Sequence, residues 1–402
     1  MVKPTVRFPE FKDSWNNYKI EDIFDKVGVA VNLDDTRTYC EIGIRSHGKG
    51  IFYKEETTAT EIGNKRVFWV ESGCFVVNIV FAWERAVAKT TEKENGMIAS
   101  HRFPMYKPKE DIVDLDYITE YFVTKRGQNV LILASPGGAG RNKTLGQKEF
   151  AKSVVKLPSL PEQQKIAEFL LTIDAVIEKQ KETISAWEER KKGVMQKLFS
   201  QEVRFKADDG NEFPDWEEKK LGEVCAPLTY GMNAAAVKYD GENKYIRITD
   251  IDDESHLYKN DELVSPDGEL DDKYLVSEND ILLARTGASV GKSYLYDKKD
   301  GKLYYAGFLI KAHVKSENSK FIYYQTLTDR YARWVQVTSM RSGQPGINAN
   351  EYSEFMVYVP CLAEQQKIAD SLSSLDEVIE KQKATLAVWE KLKKGLLQQM
   401  FV

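Results

Sequence analysis

Cysteine is scarce in this chain: four in 402 residues, at Cys40, Cys74, Cys225 and Cys361. They are scattered and form no Cys-x-x-Cys pair. That excludes a disulfide framework, argues against a structural zinc, and fits a reducing cytoplasm, the expected location. Long apolar runs are also missing. The longest, Cys74 to Trp83, is interrupted by Asn78 and falls short of the roughly 20 residues a membrane span needs. The opening segment MVKPTVRFPEF has the pattern of neither a signal nor a transit peptide. Nor is there an excess of positive charge. Lysine and arginine total 57 against 62 acidic residues, a net charge of −5. A general nucleic-acid binder is usually basic overall, so any such surface must be local or completed by a partner. Hydrophobic content of 42% and charged content of 30% describe a soluble globular protein of two or three domains.

What is present is a repeat. Residues 157–200 read LPSLPEQQKIAEFLLTIDAVIEKQKETISAWEERKKGVMQKLFS, and residues 359–402 read VPCLAEQQKIADSLSSLDEVIEKQKATLAVWEKLKKGLLQQMFV. They align without a gap at an offset of 202, which implies two structural units of one type. In the first copy apolar residues recur at three-four spacing: Ile166, Leu170, Ile173, Ile177, Ile184, Trp187, Val194 and Leu198. The second has Ile368, Leu372, Leu375, Ile379, Leu386, Trp389, Leu396 and Met400. This is a heptad seam, with Gln180 and Lys191 filling two of its expected apolar positions. Ser159 and Glu162 predict a capping box with Pro161 in the first turn. Gly193 and Gly395 predict close approach of another backbone or a local break. A helix from Glu162 to Leu198 is roughly 55 Å long and needs a partner to be stable. The other copy is the nearest candidate. The outer polar face offers Gln163, Gln164 and Trp187, and Gln365, Gln366 and Trp389, as residues that dock a second protein.

A weaker repeat precedes each body. Phe8-Pro9-Glu10-Phe11 with Trp15 to Ile23 corresponds to Phe213-Pro214-Asp215-Trp216 through Val224. The order is lead-in, body, helix, twice over. Expected boundaries are 1–158 for the first lead-in and body, 159–200 for the first helix, 201–360 for the second lead-in and body, and 361–402 for the second helix. If the helices pack antiparallel, a pseudo-two-fold axis relates the halves in a circular arrangement. The fold class is α/β, with two similar mixed α/β bodies joined by two long antiparallel coiled-coil helices. Strands are predicted at Val67–Val70, Cys74–Ala82, Lys244–Ile248, Asp280–Arg285 and Ser293–Tyr296. Short helices are predicted at Asp116–Phe122 and Lys320–Thr326.

Catalytic motifs are tested and fail. Gly287-Ala288-Ser289-Val290-Gly291-Lys292-Ser293 places three residues between its glycines where a phosphate-binding loop needs four, and strand follows it rather than helix. A hairpin turn with an exposed lysine is the better reading. Gly138-Ala139-Gly140 lacks the rest of a dinucleotide fingerprint. Asp271-Asp272-Lys273 has no paired acid of a nuclease, and His47, His101, His256 and His313 are isolated. What does gather is positive and amide-bearing residues in glycine-containing loops. Arg and Lys recognise guanine, Asn and Gln recognise adenine, and glycine lets the backbone approach. In body one the DNA-binding candidates are Arg45, His47, Lys49, Lys125, Arg126, Arg141 and Lys143. In body two they are Arg285, Lys292, Arg341, Gln344 and Asn348.

The lead-in FPxW…KKLGEV, the SGQPGIN tail of body two and the helix PxLxEQQKIA…LD.VIEKQK…W…KKG together resemble the specificity subunit of type I restriction-modification systems, over the whole chain. The resemblance implies two target recognition domains, each reading half of a split DNA sequence, with the helices as a ruler between them. It implies a subunit with no catalytic residues and no bound cofactor of its own. Two methyltransferase subunits using S-adenosylmethionine and two motor-nuclease subunits using ATP and Mg are the implied partners on double-stranded DNA. The dissimilar loops of the two bodies imply an asymmetric target. A coiled-coil adaptor that binds other proteins without DNA specificity is the alternative.

Overall fold

The computed structural model describes residues 4–137, 143–340 and 343–401. Two helices dominate, Leu160–Phe199 and Leu362–Met400. At 1.5 Å per residue each is about 60 Å long. The chain divides into two compact units. One comprises the residues up to Glu182 together with those from Ala384 onward, and the other is Thr183–Lys383. Each unit therefore holds one body, the opening stretch of one long helix and the closing stretch of the other.

In the first unit, Asn16–Lys19 pairs antiparallel with Val154–Leu157 just before the first long helix. A four-stranded antiparallel sheet runs in the order Phe24–Val27, Met105–Pro108, Phe75–Val77, Val87–Lys89. A five-stranded sheet runs Val29–Ala30, Val67–Trp69, Ile98–Ser100, Thr38–Ile44, Ile51–Thr58. The four-stranded sheet packs Phe75 and Tyr106 against Phe122 and Phe150. Helices Leu115–Val123 and Lys125–Leu133 follow, capped by Asp114 and Thr124.

The second unit repeats the plan. Glu217–Lys220 pairs with Met356–Val359 just before the second long helix. A four-stranded sheet runs Thr229–Tyr230, Leu309–His313, Asp280–Ala284, Ser293–Leu295. Helices Ser319–Gln325 and Asp329–Thr338 follow, capped by Asn318 and Thr328. The expected strands at Asp280–Arg285 and Ser293–Tyr296 are present within a residue. The predicted strand Cys74–Ala82 is reduced to Phe75–Val77, because the chain turns at Asn78, whose Oδ1 accepts from the Val80 amide and whose carbonyl accepts from the Phe81 amide, each at 3.1 Å, ahead of the 3-10 helix Ala82–Glu84. Likewise Lys244–Ile248 stops at Ile246, ahead of the 3-10 turn Ile248–Asp250.

Within each unit the two helix segments pack antiparallel. In the first, Ile166 and Leu170 share a core with Leu396 and Met400, and one turn further on Asp174 meets Lys393 at 2.7 Å. In the second, Ile368 and Leu372 share a core with Met195 and Leu198. There Asp376 meets Lys191 at 2.5 Å and Lys383 meets Glu188 at 2.8 Å. Each seam Leu or Ile so buried contributes about 1.5–3 kcal/mol. Lys191, at an apolar seam position by sequence, is accommodated because its ammonium reaches the facing carboxylate.

Two expectations about the helices are corrected. Gly193 and Gly395 mark neither a close approach nor a break. The space where their side chains would sit is open, and the helices run through both positions. Glu162 forms no capping box with Ser159. Its buried carboxylate is gripped by Arg7, Nε to Oε1 at 2.7 Å and Nη2 to Oε2 at 2.8 Å. Arg204 grips Glu364 in the same way, at 3.1 and 2.7 Å. These pairs seat each lead-in on the start of a long helix. Among the described residues no helix is long and apolar enough to cross a membrane.

Candidate nucleic-acid interface

In body two the strand Asp280–Ala284 delivers Arg285 into a loop that ends at Lys292. Tyr352 and Tyr331 pin this loop from beneath. The Tyr352 hydroxyl donates to the Ala284 carbonyl at 2.6 Å and accepts from the Gly291 amide at 3.2 Å. The Tyr331 hydroxyl donates to the Gly291 carbonyl at 2.9 Å. Gly291 has φ +87°, and a Cβ there would lie 2.6 Å from a Val335 methyl, so glycine is required on two counts. The loop before helix Ala349–Ser353 closes over it. The Gly287 amide donates to Pro345 at 3.0 Å, and the Ile347 amide donates to Arg285 at 2.9 Å.

Sequence reasoning placed Arg285 in one loop and Gln344 with Asn348 in another, and the structure brings these two loops together. Arg285 lies over the Tyr230 ring, 4.8 Å from its centroid, and Gln344 is exposed beside it. Asn348 spends its Oδ1 capping Glu351 at 2.9 Å, which leaves its Nδ2 amide for a ligand. Tyr230 (43% exposed) and Phe308 (62% exposed) were missed. Their signal is local: Tyr230 precedes Gly231 and Phe308 follows Gly307, the pattern of an aromatic presented at a turn.

Lys292 needs correction. It is not an exposed turn lysine, since its side chain is 11% exposed and paired with Asp253. Its ammonium also donates to the Ile251 carbonyl at 3.2 Å. It lines a cleft of about 1300 Å³ within the second unit, with Lys191, Arg330, Lys383 and His256. Here Lys191 is answered by Asp376 and Lys383 by Glu188. His256 Nδ1 lies 2.9 Å from the Ser293 carbonyl. Burial pushes the imidazole pKa down, and Lys292 and Lys191 add to that.

In body one the hairpin Thr38–Ile44/Ile51–Thr58 carries Arg45, His47 and Lys49 in its turn. That turn is docked on the 3-10 helix Ala82–Glu84. The His47 amide donates to Glu84 at 2.8 Å and the Gly48 amide to Arg85 at 2.9 Å. Gly48 has φ +67°, and a Cβ would fall 2.6 Å from Val123. Arg85 ties the arrangement together. It donates to the Val123 carbonyl at 3.1 Å, and its Nη2 lies 3.4 Å from His47 Nδ1. Thr124 then starts the helix whose first turn bears Lys125 and Arg126, both exposed. Lys143 lies over the Trp83 ring, 6.0 Å from its centroid. Thus Arg45, His47, Lys49, Lys125, Arg126 and Lys143 surround one 3-10 turn. Arg141 and Arg341 lie outside the described residues.

Two of the residues expected to dock a partner are corrected. Gln163 and Gln365 are fully buried. Gln163 accepts from the Asp114 amide and donates to Ile112 and Pro158, each at 3.0 Å. Gln365 accepts from the Asn318 amide at 2.9 Å and donates to Pro360 at 2.8 Å and to Glu317 Oε2 at 2.6 Å. Each glutamine clamps the loop that precedes a body helix to the start of a long helix. Gln164 and Gln366 are exposed, and Trp187 and Trp389 are half-buried. Gln366 is engaged by Asn318 at 2.8 Å. Among the described residues no group of three or more His, Cys, Asp or Glu is placed to hold a metal ion.

Two mixed bodies of one plan each present basic and amide-bearing loops ahead of a long helix. The model of the type I restriction modification DNA specificity domain matches this chain twice, at residues 12–186 and 214–388, and the chain belongs to that family. The two matches begin 202 positions apart, the period of the internal repeat. The type I restriction enzyme MjaVIII specificity subunit of Methanocaldococcus jannaschii is 26% identical, over 62% of this chain and 62% of that protein. The putative MjaX specificity subunit of the same organism is 22% identical over 96% and 93%. The fold is shared with the type I restriction-modification S subunit from M. genitalium, at a TM-score of 0.59, 15% identity and 100% and 99% coverage. A chain from a study of complex assembly and conformational transition of the type I R-M system gives 0.57, 15%, and 98% of both chains.

Proposed function

We propose that this chain is the DNA-reading subunit of a type I restriction-modification complex. Each body reads one half of a split target. The bodies carry no catalytic role and recruit the subunits that do the chemistry. Methyltransferase subunits using S-adenosylmethionine, and motor-nuclease subunits using ATP and Mg, are the partners this reading requires. Gln164 and Gln366, with Trp187 and Trp389, are the helix residues available to hold them.

One observation carries the reading. Each body gathers several basic or amide-bearing side chains in one glycine-containing loop cluster, Arg45, His47, Lys49, Lys125 and Arg126 in one and Arg285, Gln344 and Asn348 in the other, and the two clusters differ in chemistry. Side chains held by buried anchors can meet base edges with little ordering cost. Two different clusters read two different half-sites, so the target is asymmetric.

The test is genome-wide adenine methylation in cells that co-express this chain with its cognate methyltransferase subunit. A single split, asymmetric motif that vanishes when this chain is deleted is the expected result. Methylation without this chain, or with no sequence preference, overturns the reading.

A further inference from the structure

The two bodies differ in charge. Residues 18–156 carry 21 basic and 19 acidic side chains, while residues 220–357 carry 17 and 21. The difference concentrates on the candidate faces. In body one, Arg45, Lys49, Lys125, Arg126 and Lys143 have no ion-pair partner among the described residues; Arg45 lies over the Phe52 ring and Lys143 over the Trp83 ring, while Lys49, Lys125 and Arg126 are exposed and lie over no ring. In body two, Lys292 is neutralised by Asp253, and Arg285 is stacked on Tyr230. Exposed beside Arg285 are Gln344 and the aromatic Phe308, and the Phe308 carbonyl accepts from the Arg285 amide at 3.0 Å.

These faces suit different parts of a duplex. Free cations displace counterions from phosphates, which binds any sequence and weakens steeply with salt. Aromatic rings and a stacked guanidinium gain their energy from bases and apolar contact, and release few ions. We infer that the bodies divide the work: body one supplies most of the phosphate grip, and body two supplies recognition that depends little on salt. This inference rests on the DNA-reading function proposed above and assigns its affinity and its selectivity to different bodies.

The experiment uses the full chain with its cognate methyltransferase subunit, and duplexes bearing the target or a scrambled sequence. Dissociation constants are measured across a salt series for the wild type, for the triple variant K49Q/K125Q/R126Q, and for R285Q/F308A. For the triple variant the slope of log affinity against log salt should fall by about 2–3, since each phosphate no longer neutralised removes about 0.9. Target and scrambled DNA should lose affinity alike. For R285Q/F308A the slope should change by less than about 1, while the preference for target over scrambled DNA falls tenfold or more. An unchanged slope in the triple variant, or an equal slope reduction in both variants, overturns the inference. Absence of any target preference in the wild-type complex overturns the DNA-reading function itself, a distinct failure. Circular dichroism of each variant separates unfolding from a weakened DNA interface.

Discussion

Single residues in this protein matter most where a charge is buried against an opposite charge. Glu364 is fully buried and held by Arg204 through two hydrogen bonds, and the Trp216 indole donates to it at 3.2 Å. Replacing it by alanine leaves a guanidinium that is 18% exposed with only the Phe213 and Pro214 carbonyls and the more distant Asp215 carboxylate. Removing one partner of a buried pair costs at most about 3–5 kcal/mol, and the remaining acceptors of Arg204 bring the cost below that. Glu364→Ala is therefore expected to lower the denaturation midpoint of the full chain clearly, and Glu162→Ala to do the same through Arg7. His256 gives a pH dependence of defined sign. Its folded pKa lies below the ordinary imidazole value of 6.5, so the unfolded chain takes up its proton first as pH falls. The associated stability is present above 6.5 and is lost as pH drops from there through the lowered folded value. The hydrogen bond to the Ser293 carbonyl and, to a lesser extent, Asp252 oppose this shift, while Lys292 and Lys191 reinforce it. Melting curves of wild type and His256→Gln should diverge on acidification, with the wild type losing more. Parallel curves would remove His256 from the account.

At the scale of elements, the long helices combine an apolar seam with polar pairs that fix which residues face each other. Lys191 with Asp376, and Lys393 with Asp174, occupy equivalent places in the two copies. Asp376 also accepts from the Tyr324 hydroxyl at 2.7 Å, so one carboxylate binds the facing helix segment and a body helix together. Asp376→Ala should cost about 1–2 kcal/mol. That is less than a fully buried pair would cost, because Asp376 keeps access to solvent. Lys191→Leu completes the seam and should leave stability unchanged or raised, as apolar replacement of a semi-buried charge often does. Guanidinium denaturation of the two variants checks this. A larger loss for Lys191→Leu than for Asp376→Ala would mean that the pair matters for more than its register.

At the scale of the whole molecule, the proposed function makes each of the two duplicated bodies a separable reader. Exchanging residues 220–357 for the body of another family member should change one half of the methylated motif and leave the other half intact. Sequencing-based methylation mapping reads this directly. Alteration of both halves would mean that the bodies do not read independently. The net charge of −5 adds a second expectation. The isolated chain should bind DNA more weakly than its complex with the methyltransferase subunit, in a fluorescence anisotropy titration at one fixed salt concentration.

The sequence by itself determined the repeat, the two long helices, the three-four seam and the existence of two mixed bodies. These are written in local periodicity and in near-identical strings, which need no knowledge of distant contacts. The Arg7 and Arg204 clamps were equally legible in principle, since Val6-Arg7-Phe8 recurs as Val203-Arg204-Phe205. Tertiary structure decided where polar side chains point and what they meet. Gln163 and Gln365 read as solvent-facing because glutamine usually is, yet each is buried by loop carbonyls and amides that sheet pairing carries to it. Lys292 read as a free cation, and a carboxylate 39 positions away neutralises it. Arg285, Tyr230, Phe308 and Gln344 became one surface only through strand order, which joins loops that no local pattern connects. The energy that selects those meetings is burial and pairing between segments far apart in the chain, and one-dimensional spacing does not record it.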